Sequence, residues 1–143
     1  MRIDIWSDIV CPFCYVGKRN LEQALAEFEH RDEVEVVWHS FELDPSATEH
    51  PAGSLPEMIA GKYQMPLEQA IASQESLAER AREVGLDFNW RQARYGNTFD
   101  AHRVIHYAAE QGLASAAQEA FKKAYFTQGR SVQDHESILD IAS

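Results

Sequence analysis

Two cysteines stand three apart in the run Cys11-Pro12-Phe13-Cys14, and the chain has no others. The chemistry this spacing serves is thiol–disulfide exchange. One thiolate attacks a disulfide, and a second thiol resolves the mixed disulfide. A C-x-x-C at a helix start supplies both, because unpaired N–H groups and the positive dipole end favour a thiolate there. Pro12 suits the first helical turn, where its missing N–H has no helical partner in any case. At about 100° per residue, Leu21, Leu25 and Phe28 fall within about 40° of Cys14. The expectation is an exposed, attacking Cys11 and a buried, resolving Cys14. Phe13 brings neither a hydrogen bond nor a positive charge, and Asp8, three residues upstream, raises the energy of a thiolate. The pair therefore reads as a milder oxidant than one with a cationic residue between its cysteines.

Other chemistries fit less well. Zinc asks for about four ligands, and no second cysteine pair exists. His30, the next histidine, belongs to the end of the same helix. His102 and His106 have a metal-binding spacing on one helix, but Arg103 stands where a zinc protease has glutamate, and no third ligand is apparent. No metal is expected. The acidic residues are spread out, without a carboxylate pair for acid–base work. Trp6, Trp38, Phe41 and Trp90 read as core or cleft wall.

The elements that must position the cysteines follow from periodicity. Ile3 and Ile5 begin a strand that runs through Trp6. Leu21, Ala24, Leu25 and Phe28 recur at helical spacing until the charged run 29–33. Val34 to Trp38 is β-branched and largely apolar, as a parallel strand should be. Strand, helix and strand in about 40 residues make a βαβ unit. A loop follows at His50 to Gly53, and Ser54 with Glu57 has the spacing of a capping box. Helices are expected from Pro66 to Val84, stopped by Gly85, and from Asn97 to Gln111, stopped by Gly112, with Asn97 and Asp100 as caps. Ala114 to Gln128 makes another, with Ala117, Phe121, Ala124 and Tyr125 on one face. Asp134 opens a last helix.

Composition narrows the partners. The net charge is −10, which disfavours nucleic acid and anionic membrane. Residues 1–8 alternate charged and apolar residues rather than forming an export signal. The expected location is the cytoplasm, where structural disulfides are rare and a close cysteine pair suggests catalysis.

The chain resembles the DsbA-like family of thioredoxin-fold oxidoreductases, in particular its cytoplasmic FrnE-type branch. The residues that carry the resemblance are Ser7-Asp8-Ile9-Val10-Cys11-Pro12-Phe13-Cys14-Tyr15-Val16-Gly17, then Phe41-Glu42-Leu43-Asp44-Pro45, then residues 97–105 from Asn97 to Ile105, and Ala124-Tyr125-Phe126. The resemblance implies an α/β fold, a thioredoxin-like βαβ half with an inserted helical domain. Residues 1–45 would form the βαβ half, 46–130 the helical insertion, and 131–143 the start of a helix returning to the thioredoxin part. The family's C-terminal ββα half, with its cis-proline loop, is expected to be absent from this chain.

The resemblance further implies that Cys11 and Cys14 are catalytic, tuned by Pro12, Phe13 and Asp8. Asn97, Thr98, His102 and Arg103 would line a substrate cleft. No cofactor is implied, and the partners would be protein or small thiol and disulfide substrates. A first strand left uncovered would favour a homodimer through its edge. Two rival readings remain. One is a glutathione-dependent isomerase or transferase of the kappa or 2-hydroxychromene-2-carboxylate isomerase type, which keeps serine at the position of Cys11. The other is a non-catalytic client-binding module.

Overall fold

The computed structural model describes residues 1–47 and 53–143. The part of the expected loop at His50 to Ala52 lies outside them. Strand β1 (Arg2–Ser7) leads into helix α1 (Pro12–Glu27), a 3-10 turn (Arg31–Glu33) and strand β2 (Glu35–Ser40). The strands run parallel, in register from Arg2 opposite Glu35 to Ser7 opposite Ser40. This is the expected βαβ unit. Among the described residues, β1 carries β2 on one edge and no strand on the other.

Strand periodicity sorts the two faces. Ile3 and Ile5 pair with Val36 and Trp38 on one face. On the other, His39 bonds Asp4 at 2.8 Å and stacks on Trp6 with centroids 4.5 Å apart. Trp90 is core, as expected, but Trp6 and Phe41 are 63% and 51% exposed.

Five helices follow: α2 (Leu55–Tyr63), α3 (Leu67–Glu83), α4 (Phe99–Glu110), α5 (Ala114–Phe126) and α6 (His135–Ala142). Helices α3, α4 and α5 lie within two residues of their expected bounds, and α2 and α6 begin where expected. The Ser54–Glu57 capping box forms in both directions. Gly85 and Gly112 adopt positive φ of 78° and 74° just beyond α3 and α4. There the following N–H groups of Leu86 and Leu113 turn back to Ala81 and Ala108, the usual reason for glycine at that position. No helix among the described residues is long and apolar enough to cross a membrane.

One core joins the βαβ unit to the helices. Ile9, Val10 and Tyr15 pack with Phe88, Trp90, Phe121, Tyr125 and Phe126. Phe126 is the hub, with ring centroids 5.5 Å from Tyr15, 4.9 Å from Phe88 and 4.8 Å from Tyr125. Helix α1 thus buries a different stripe from the one expected. Its buried residues are Tyr15 and Lys18, whereas Phe28 is 39% exposed. The reason is α5, which packs beside α1 and supplies Glu119. That carboxylate accepts from the Tyr15 hydroxyl at 3.0 Å, Lys18 Nζ at 2.9 Å and Arg19 Nη2 at 2.7 Å. Glu22 also pairs with Lys18 and Arg19.

The Glu119 clamp gives stability a pH signature. Burial alone would raise its pKa, but Lys18, Arg19 and Tyr15 outweigh that and hold it at about 2, below the ordinary 4.5. A depressed carboxylate contributes fully above its unfolded pKa and loses that contribution as pH falls through its folded one. Stability to urea is therefore expected to decline between pH 4.5 and about 2 on account of this group. Glu119→Gln should cost about 1–2 kcal/mol at pH 7, discounted for solvent access, and should flatten the acid decline.

Candidate active site

Residues 7–14 form the turn between β1 and α1 and hold the cysteines. Cys11 is the N-cap of α1, in extended conformation with φ −89° and ψ 116°. Its carbonyl accepts from the N–H groups of Cys14 and Tyr15 at 3.1 and 3.3 Å, closing the first turn. Pro12 occupies the first helical turn as expected. Both cysteines are free thiols, and both are half-buried. The expected contrast of an exposed Cys11 and a buried Cys14 is therefore not present. The helical stripe that was to bury Cys14 turns towards α5 only at Tyr15 and Lys18.

The two sulfurs lie close enough to share a proton, and each governs the other's ionisation. Cys14 is pulled down to about 5, first by the Cys11 thiol and then, against its burial, by the Ser7 hydroxyl, the Asp8 backbone and the Lys122 ammonium. Cys11 is pushed up, first by its bond to Cys14 and then by burial, although the N–H groups of Phe13 and Cys14 favour its charge. The pair thus loses one proton early and holds the other.

Asp8 is 1% exposed and fully engaged. One carboxylate oxygen accepts from the Ile9 N–H at 2.7 Å and lies 2.9 Å from His102 Nε2. The other accepts from the Leu43 N–H at 2.9 Å. Burial works to raise its pKa, but His102, Leu43, Thr98 and Ile9 outweigh it and lower the value. Asp8 is therefore a buried anchor of the turn rather than a free charge beside the thiols.

The chain belongs to the DSBA-like thioredoxin domain family. The family profile matches residues 2–143. A probable DsbA oxidoreductase from Streptomyces coelicolor superposes with a TM-score of 0.92 at 45% identity, over 99% of this chain and 61% of that one. A cytosolic disulfide reductase from Pseudomonas aeruginosa, solved with GSH, shares the fold at a TM-score of 0.61 and 18% identity, over 99% of this chain and 63% of that one. The uncharacterized protein YwbO of Bacillus subtilis is 28% identical over 99% of this chain and 64% of its own length. The chain thus spans less than two thirds of the length of these relatives.

Within this DSBA-like domain, the residues singled out for a cleft divide into two groups. Thr98 and His102 are buried and face the Asp8 carboxylate. Asn97 and Arg103 bond elsewhere. Asn97 is not the N-cap of α4, which is Thr98; from one residue earlier its Oδ1 accepts from the Phe99 N–H at 2.9 Å, and its Nδ2 donates to the Pro45 carbonyl at 3.3 Å. Asp100 does not share in that cap; it holds Arg103 and His135. Arg103 and His102 both line an open pocket of about 550 Å³, with Ser40, Phe99, His106 and Tyr107. His102 and His106 point to different partners, Asp8 and Ser40. Phe13 is 58% exposed, and the Arg80 guanidinium of α3 stands 5.8 Å from its ring. A positive group absent from the C-x-x-C sequence is thus supplied from α3.

Sequence reasoning missed Lys122. It is fully buried on α5, with Nζ 3.1 Å from Ser7 Oγ, 3.2 Å from the Asp8 carbonyl and 2.6 Å from Gln118 Oε1. The signal was present: Gln118 and Lys122 are four apart, on the same face as Phe121 and Tyr125.

The anchor predicts unequal costs. His102→Leu strips a partner from a buried carboxylate and is expected to cost about 3 kcal/mol of folding stability. Arg103→Ala, at an exposed ion pair, is expected to stay within about 0.5 kcal/mol. Urea denaturation of both variants at pH 7 measures the difference.

Proposed function

We propose that this chain carries the redox centre of a thiol–disulfide oxidoreductase acting on protein or low-molecular-weight thiols and disulfides. The observation that carries this reading is the pair of free, half-buried thiols at the start of α1, with Cys11 as its N-cap and Cys14 in its first turn, in a DSBA-like domain. Exchange is faster when the departing sulfur has a low pKa. An external thiolate attacks Cys11, and Cys14 leaves as a thiolate. In reverse, Cys14 attacks the mixed disulfide at Cys11 and releases the substrate thiol. Phe13, beside Arg80, and the pocket lined by Arg103 are the substrate-facing surfaces in this reading. No metal or organic cofactor takes part.

Stabilising a Cys14 thiolate favours the reduced pair. The centre is therefore a stronger oxidant than Phe13 alone suggests. The isomerase reading gains no support from a second thiol that shares the first one's proton. We also assign residues 1–45 and 131–143 to the thioredoxin-like part and 46–130 to the helical insertion. The location remains the cytoplasm, where a cycling pair is more at home than a structural disulfide. The open edge of β1 supports pairing with a second copy.

Two measurements test these readings. Cys14→Ser should accumulate a mixed disulfide with a thiol substrate, while Cys11→Ser should form none. Accumulation on Cys11→Ser instead would reverse the roles. Sedimentation equilibrium of the chain should give a dimer, and a monomer at all concentrations would remove the strand edge from the account.

A further inference from the structure

The helical block contributes one charged group to the underside of the cysteine turn. Lys122 is 0% exposed, yet no carboxylate among the described residues bonds it. Its three acceptors are neutral: the Ser7 hydroxyl, the Asp8 carbonyl and the Gln118 amide oxygen. A buried ammonium is costly unless it is paired. Among the ionisable groups that favour its charge, Cys14 weighs most, ahead of Asp8 and Cys11. Ser7 lies between Lys122 and Cys14, accepting from Lys122 and with its own hydrogen able to turn from the Asp8 carbonyl to the Cys14 sulfur.

We infer that Lys122 is the positioning residue for the Cys14 thiolate, its buried ammonium standing beneath the turn to meet the charge that reaches this sulfur when the disulfide opens. This rests on the oxidoreductase reading. The step balances without an added oxidant. A substrate thiolate forms a bond to Cys11 Sγ, the Cys11–Cys14 bond breaks, and its electron pair stays on Cys14 Sγ. The negative charge passes from the incoming sulfur to Cys14. Lys122 then faces an anion rather than neutral acceptors alone, and takes up or keeps a proton from solvent that it holds weakly in the disulfide form. When Cys14 attacks back, that proton is released.

The groups around Lys122 come from every packed element. Cys14, Asp8 and Cys11 favour its charge, Lys18 of α1 opposes it, and the Trp38 ring of β2 lies 6.0 Å away. Burial is the largest influence and brings Lys122 down to about 8. That value places the ammonium near its own titration at physiological pH. The charge on Cys14 then decides whether the proton stays.

The test follows two titrations. In the unaltered protein, 13Cε NMR of lysine should show Lys122 titrating at a higher pH in the reduced form than in the disulfide form. Identical titration in both forms overturns the inference. In the reduced protein, thiolate absorbance should give a midpoint that Lys122→Met raises by about one to three pH units, the usual effect of removing a nearby opposite charge. Ser7→Ala should raise it in the same direction. An unchanged midpoint in a folded Lys122→Met or Ser7→Ala protein also overturns it. Should Lys122→Met fail to fold, the NMR comparison and Ser7→Ala still decide. Failure of the oxidoreductase reading looks different: the thiolate midpoint moves with Lys122, yet the cysteines never pair in glutathione buffers.

Discussion

The cysteine turn is held by one buried residue, Asp8. A carboxylate at 1% exposure is tolerable only when its oxygens are bonded, and here each bond recruits a different part of the chain. Ile9 fixes the turn locally, Leu43 ties it to the segment after β2, and His102 ties it to α4. The Asp8 carbonyl accepts from Lys122 of α5. Any movement of the cysteines away from the helices would strand a buried charge.

Helix α5 has a double role. Its Glu119 face grips Tyr15, Lys18 and Arg19 of α1, and its Lys122 face meets Ser7 and Asp8 beneath the cysteines. These positions are three apart, i and i+3, so they project from adjacent parts of one helical face. Register and chemistry are therefore fixed together. The aromatic hub at Phe126, at the end of the same helix, packs on Tyr15 immediately after Cys14.

The backbone elements were legible in the sequence because their signals are local. The Ser54–Glu57 capping box, Gly85, Gly112 and the β-branched run of β2 each act within a few residues. The C-x-x-C and Pro12 were legible for the same reason. The electrostatics were not. Asp8 meets His102 across 94 positions, and Lys122 meets Ser7 across 115. Neither distance leaves a local trace. Periodicity also misplaced the buried stripe of α1, since Lys18 and Arg19 read as solvent-facing until Glu119 arrives from another helix. The polar Gln118 and Lys122, interleaved with Phe121 and Tyr125, were the one clue, a pair on a face that had every apolar reason to stay dry.

The central claim is that Cys11 and Cys14 interconvert between a disulfide and a pair sharing one proton. Its most direct test is the redox equilibrium of the pair in glutathione buffers of graded poise, read by alkylation and mass spectrometry. The account predicts a single reversible two-electron transition in which these two cysteines alone pass between a disulfide and two groups that alkylate. Two thiols that alkylate fully at every poise, with no disulfide formed between them, would contradict it.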